Sequence, residues 1–191
     1  MKKYRLAIFA SGNGSNAENI ARYFSEHKSV EVVLLLSNNS QAPVLAKAKR
    51  LGLEVMVFDR EDFKEGGRVV QKLIQKEVTH LVLAGFLWLV PAFLIRLFPD
   101  RIVNIHPALL PKFGGKGMYG RHVHEAVKNA GEQESGITIH LVNEHFDEGA
   151  PLLQAKCKIL PADSVDEIAK KVQDLEYLHY PPTIEKWLMK S

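Results

Sequence analysis

Cysteine is almost missing from this chain: Cys157 is the one thiol in 191 residues. No internal disulfide can staple the fold, and a reducing, cytoplasmic setting is expected. Long apolar runs are missing as well. The longest, near 81–94, is broken by Gly85 and Pro91 and falls short of the ~20 residues a membrane span requires. The apolar residues from Leu6 to Ala10, which follow Lys2 and Lys3, are too few for a secretory core of ~7 to 15. Nor is there an excess of one charge: 25 Lys plus Arg face 22 Asp plus Glu, for a formal +3 without a dense basic tract. Neither nucleic acid nor a membrane surface is implied as a partner. Repeats, low-complexity stretches and linkers are absent too, so one domain is expected over residues 1–191. The composition that remains, 46% hydrophobic and 25% charged, is that of a soluble globular protein.

What is present is an alternation of strands and helices. Arg5 to Ala10 reads as a first strand, and Ala17, Ile20, Ala21 and Phe24 follow at helical spacing. Further strands are expected at Glu31 to Leu36, Glu54 to Phe58, Thr79 to Ala84 and Arg101 to His106. Helices are expected from near Pro43 to Leu51, over Arg68 to Lys76, near Arg121 to Ala130, and after the capping box Ser164-Val165-Asp166-Glu167. The unbroken apolar run of the fourth strand favours a parallel sheet buried on both faces. Ile137, Ile139 and Leu141 alternate with Thr138 and His140, and Leu153, Ala155, Cys157 and Ile159 alternate with Gln154, Lys156 and Lys158. Both patterns predict half-exposed antiparallel strands. The fold class is therefore α/β: a doubly wound, mostly parallel sheet flanked by helices, with an antiparallel C-terminal strand pair.

Between the first strand and first helix lies Ser11-Gly12-Asn13-Gly14-Ser15-Asn16. Its glycines let the backbone approach a ligand, and amides at a helix start favour an anion. No Gly-Lys-Ser/Thr closes the turn, which excludes a triphosphate loop. Ser37-Asn38-Asn39 stands where a dinucleotide fold would carry its ribose-binding acid, so a monophosphate fits better. The alternative is a plain tight turn capped by Ser15 or Asn16.

The chemistry centres on Asn104-Ile105-His106-Pro107-Ala108-Leu109-Leu110-Pro111. Pro107 cannot donate to a sheet ladder, so the strand ends at His106. At a period of two, Asn104 and His106 share a face, joining an amide donor for an oxyanion to an imidazole that moves protons. The loop from Asn143 to Pro151 carries three acids, and one of them could orient His106 and raise its pKa. Arg60, in the polar loop after the third strand, could meet a carboxylate or phosphate. The segment Gly85 to Pro91 could hold a flat ring or simply pack in the core. His106, His122 and His124 do not match a metal-binding helix, and no metal is expected.

Five of these motifs in register, Ser11 to Asn16, Leu83-Ala84-Gly85-Phe86, Asn104 to Pro107, Leu109 to Lys112 and Asp147-Glu148-Gly149, followed by Leu152-Leu153-Gln154-Ala155, resemble the formyltransferases that use 10-formyltetrahydrofolate. The resemblance is to the branch that formylates glycinamide ribonucleotide in purine synthesis, and it covers nearly the whole chain. It implies that Asn104, His106 and Asp147 are catalytic, with His106 protonated against the oxyanion. It further implies that Gly14, Ser15 and Asn16 grip the ribose phosphate, and that Gln173 and Glu176 contact the glycinamide. The implied folate site comprises Arg60, Leu87, Trp88, Leu89, Val90, Asn104, Asn143, Glu144, His145, Phe146 and Asp147. The implied partners are small molecules, with 10-formyltetrahydrofolate as co-substrate and a monomer or homodimer as the assembly. Where that family carries Ser after His-Pro, this chain has Ala108, so that hydroxyl's hydrogen bond is absent. A 10-formyltetrahydrofolate hydrolase would be expected to add an N-terminal domain, and a methionyl-tRNA formyltransferase a C-terminal one. A non-catalytic nucleotide-binding regulator would leave Asn104, His106 and Asp147 without a task.

Overall fold

The computed structural model describes residues 3–190; Met1, Lys2 and Ser191, the ends of the expected domain and part of the rejected signal, lie outside the described residues. The elements run β1 (Tyr4–Phe9), α1 (Ser15–Tyr23), β2 (Val30–Ser37), α2 (Val44–Arg50), β3 (Val55–Val57), α3 (Arg68–Gln75), β4 (His80–Leu83), α4 (Ala92–Leu97), β5 (Ile102–His106), α5 (Arg121–Asn129), β6 (Glu134–Leu141), β7 (Pro151–Lys158) and α6 (Val165–Leu188). The strands hydrogen-bond in the order β3-β2-β1-β4-β5-β6-β7. Two compact units divide between Val103 and Asn104, inside β5.

In the first unit β1 pairs in parallel with β2 on one side and β4 on the other, and β2 pairs in parallel with β3. The chain reverses its winding between β1 and β4. In such sheets the loops leaving the carboxyl ends at that point border a crevice where ligands bind. Here those loops are Ser11–Gly14 and Gly85–Pro91. Apolar residues of β1, β2 and β4 are buried on both faces, as the unbroken runs of Leu, Val and Ile require. Gly14 itself caps α1 in a left-handed conformation at φ 70, without a side-chain cap from Ser15 or Asn16. A Cβ there would also lie 2.0 Å from Val44 Cγ2, so glycine is demanded twice. The helix α4, entered from Pro91, has no counterpart in the sequence reading; it is short and its apolar spacing merges with the preceding run.

In the second unit β6 and β7 form the antiparallel pair, and α6 packs on both. Ser164 caps α6 with both bonds of the capping box, and the helix runs 24 residues with Pro181 and Pro182 inside it. β7 is half-exposed, as its alternation predicts. β6 is not: Thr138 and His140, expected on a wet face, are 1% and 2% exposed. β6 is an interior strand of the sheet, and the segment after β5 crosses its polar face. There the Thr138 hydroxyl donates to the Ala108 carbonyl and accepts from the Leu110 N–H. Cys157 is half-buried, which pushes its thiol pKa up.

Candidate active site

β5 ends at His106 because Pro107 follows, and the period of two puts Asn104 and His106 on one face of its carboxyl end. Both meet Asp147, which lies in the loop between β6 and β7. Asp147 Oδ2 is 3.4 Å from His106 Nδ1 and accepts from the Gly115 N–H at 2.9 Å. Its Oδ1 is 3.5 Å from the Asn104 amide nitrogen and 3.6 Å from His140 Nε2. One carboxylate thus spans the amide and the imidazole, one oxygen for each. The loop that carries it is closed at its base by the Leu141 N–H donating to the Ala150 carbonyl.

The hydrogen bonds fix the ring tautomers. A carbonyl only accepts, so His106 Nε2–H donates to the Phe113 carbonyl at 2.7 Å. His140 Nδ1–H likewise donates to its neighbour Leu141, leaving His140 Nε2 to accept from Asn104 Nδ2 at 3.2 Å. His106 is 3% exposed. Burial pushes its pKa below the ordinary value, with His140 adding to that, and outweighs the Asp147 carboxylate and the Phe113 carbonyl, which favour the charged ring. This corrects the expectation of a protonated His106 with a raised pKa: Asp147 acts in the expected direction, but desolvation is larger. Burial would raise the Asp147 carboxyl, yet the His140 contact, the charge of His106 and the Gly115 N–H together hold it below its usual range. Asn104 is half-buried, whereas His106 is shielded.

Four further residues of the β6–β7 loop belong to the expected folate set. Asn143 Oδ1 accepts from the His145 N–H, forming an Asx turn. Glu144 and His145 are exposed, and Phe146 is half-buried. Gln173 and Glu176 are three apart on α6 and so share a face, half-buried. His122 is exposed, 3.7 Å from Glu125, with its ring edge-on to Tyr119.

In the first unit, the glycine turn and the Gly85–Val90 segment are joined by Ser11. Its hydroxyl accepts from the Leu87 N–H at 3.0 Å and donates to Asn38 Oδ1 at 2.7 Å. The Ser11 N–H donates to the Gly85 carbonyl. Gly14 and Ser15 are half-buried and Asn16 is buried. Leu87 and Leu89 are exposed at 46% and 42%, while Val90 is buried in the core. Trp88 stands edge-on to Phe58, and the Arg60 guanidinium lies over its ring at 3.7 Å from the centroid.

The residue the sequence reading missed is His140. Its one signal was an imidazole two places after Thr138 on a strand taken to be half-wet. The side chain holds Asn104 and faces the carboxylate between its partners. Among the described residues, no group of three or more His, Cys, Asp and Glu side chains is arranged to hold a metal ion.

A family model described as formyl transferase matches residues 4–184. The chain is 35% identical over 195 residues to phosphoribosylglycinamide formyltransferase of Haemophilus influenzae, covering 98% of this chain and 87% of that one. It is 40% identical over 185 residues to the chloroplastic enzyme of that name from Arabidopsis thaliana, covering 94% of this chain. This chain spans 63% of the length of that plant protein and 61% of its Vigna unguiculata counterpart. Among solved structures, phosphoribosylglycinamide formyltransferase from Bacillus halodurans superimposes with a TM-score of 0.87 at 35% identity, covering 96% of this chain and 95% of the other. That from Streptococcus pneumoniae gives 0.85 at 34% identity, covering 98% and 99%.

Proposed function

Since this chain belongs to the formyl transferase family, we propose that it transfers a formyl group from 10-formyltetrahydrofolate to the amine of 5'-phosphoribosylglycinamide, a step of purine synthesis. The observation that carries this reading is the single Asp147 carboxylate spanning Asn104 and His106 at the end of β5. Support also comes from the relatives, which bear the name of this activity. The reading treats residues 1–191 as one formyltransferase domain, since the family match runs through both compact units. It sets the protein in the cytoplasm as a monomer or homodimer.

10-Formyltetrahydrofolate is the formyl donor and is consumed as a substrate. Asn104, oriented by His140, donates its amide to the oxyanion that develops on the formyl oxygen. His106 rests neutral and takes up the proton that the attacking amine sheds. The second ring proton is then held at Nδ1, toward Asp147 Oδ2, so the imidazolium forms against a charge already in position. Surrender of that proton to the departing tetrahydrofolate nitrogen restores the resting ring. Gly14, Ser15 and Asn16 take the ribose phosphate at the start of α1, where no side chain occupies the cap position. Gln173 and Glu176 meet the glycinamide. Arg60, Leu87, Trp88, Leu89, Val90 and the Asn143–Asp147 loop receive the folate. Much of the rate comes from positioning, because an amine and an activated formyl group need no covalent help.

The test is an absorbance assay of folate deformylation with purified protein, 10-formyltetrahydrofolate and glycinamide ribonucleotide. Deformylation that depends on the ribonucleotide is expected. Deformylation at the same rate without it would make the protein a hydrolase. No deformylation, with tight nucleotide binding, would favour a regulator.

A further inference from the structure

We propose that Phe113 is a positioning residue: its side chain is anchored in the core of the second unit, and its carbonyl thereby decides which nitrogen of His106 is the base. The inference rests on the formyl-transfer reading above for what that base does.

A neutral imidazole carries one proton, and the two oxygens beside His106 make opposite demands on it. The Asp147 carboxylate, 3.4 Å from Nδ1, draws the proton to that nitrogen. The Phe113 carbonyl, 2.7 Å from Nε2, draws it to the other. Both oxygens only accept, so the nitrogen without the proton must face one of them with its lone pair. Only the carbonyl lies within the ordinary N–H···O range of ~2.7–3.2 Å. The carboxylate is also occupied, because its Oδ2 accepts from the Gly115 N–H at 2.9 Å. A short stretch of chain, Phe113 to Gly115, therefore acts on both sides of the contest. It favours the proton at Nε2 and leaves Nδ1 as the acceptor.

The direction of that carbonyl depends on how residue 113 is held. Phe113 takes a left-handed backbone conformation at φ 57, which a residue with a bulky side chain rarely adopts unless its surroundings enforce it. Here the side chain supplies the enforcement. The half-buried phenyl ring packs against a core cluster of Val127 from α5, Ile159 just after β7 and Ile168 from α6. Burying that ring offsets the strained backbone. The next residue leaves the chain little room to shift, since a Cβ on Gly114 would lie 2.5 Å from Leu110 Cδ2 and 3.3 Å from Asp147 Cβ. Remove the anchor, and the carbonyl is free to turn from Nε2. The carboxylate then wins the proton for Nδ1, and the acceptor moves to the far side of the ring.

The experiment is heteronuclear NMR of histidine-labelled protein, above the pH range in which histidine is charged, with His106→Gln identifying the signal. The wild type is expected to carry its ring proton on Nε2. Phe113→Ala removes the anchor, and Phe113→Gly removes it while easing the left-handed backbone. In both, the population should move toward Nδ1–H, and kcat should fall by about tenfold with KM for both substrates within about twofold of wild type. Phe113→Leu, which keeps an apolar anchor, should restore the Nε2–H form and most of the turnover. A wild type protonated on Nδ1 would overturn the proposal, whether or not the variants fold. So would a wild-type tautomer in Phe113→Gly, since the phenyl ring would then anchor nothing. A tautomer that shifts in Phe113→Ala, in a protein that transfers no formyl group, would uphold the positioning while removing the proposed function.

Discussion

Phe113 and Asp147 both adopt the left-handed backbone conformation, at φ 57 and φ 59, and each presents an oxygen to a different nitrogen of His106. Left-handed backbone is uncommon away from glycine and costs of order 1 kcal/mol or more per residue. Two such residues on either side of one buried ring form an arrangement that only a doubly protonated imidazole would satisfy fully. Burial opposes that second proton and favours the neutral ring.

That balance is visible in the pH dependence of Asp147→Asn. The acid limb of kcat/KM in the wild type should lie below the ordinary histidine value, because burial lowers the His106 pKa. Asp147 opposes that shift, so removing its charge lowers the pKa further and moves the limb to lower pH. The plateau should fall by about 10²-fold as the imidazolium loses its counter-charge. An acid limb that moves to higher pH would contradict this account.

His106→Ala should reduce turnover by about 10²-fold or more while leaving the far-ultraviolet circular dichroism unchanged. The Gly115 bond to Asp147 survives that change, so the surrounding loops keep an anchor. A folded variant with wild-type turnover would remove His106 from the mechanism.

His140→Phe retains a buried ring but deletes the acceptor for Asn104. Its kcat should fall by about tenfold, and the same change placed on top of Asn104→Ala should add little, since His140 acts through Asn104. Additive losses in the double variant would show that His140 and Asn104 work separately.

These readings divide into what the sequence carried and what it could not. Pro107 after a short apolar run was enough to end β5 and set Asn104 beside His106, because proline's missing donor is a local property. The acidic loop could be recognised in the same way, and Asp147 is the acid of that loop that reaches both residues. His140 and Thr138 escaped because alternation reports only that two faces differ. What covers that face is distant in sequence: Ala108 and Leu110 meet Thr138, and Asn104 meets His140. The charge state of His106 escaped for a related reason. A carboxylate can be read from a motif, but the desolvation that outweighs it depends on packing. The cap of α1 went to Gly14 rather than Ser15 or Asn16, since the turn's left-handed entry is filled by glycine.

Gly149→Ala tests the closure of the loop that carries Asp147. A Cβ at this position would sit 1.7 Å from the Leu141 carbonyl oxygen, a backbone atom that cannot step aside. The variant should lose about 3 kcal/mol in urea denaturation, and turnover should fall because Asp147 stands two residues away. An unchanged midpoint would mean that the hairpin base is softer than its geometry indicates.

His80 gives the fold an acid-sensitive element remote in sequence from Asn104 and His106. Burial, aided by the charge of Arg101, lowers its pKa from 6.5 to about 4. The unfolded chain takes up a proton below about 6.5 that the folded one refuses until about 4, so stability falls as pH drops through that window. The drop in urea midpoint between about pH 7.5 and about pH 5 should be smaller in His80→Phe than in the wild type. An equal drop in both would assign the acid sensitivity to other groups.

The hydroxyl of Ser11 gives the first unit a hub. By bonding Leu87 and Asn38, it fastens together the rims that leave three adjacent strands, β4, β1 and β2. That hydroxyl, with the Ser11 N–H bond to the Gly85 carbonyl, therefore ties the glycine-rich turn to the apolar lip and the segment after β2. Swapping it for hydrogen would loosen all three at once, so an engineer seeking to broaden what this crevice accepts has one atom to remove before redesigning any loop.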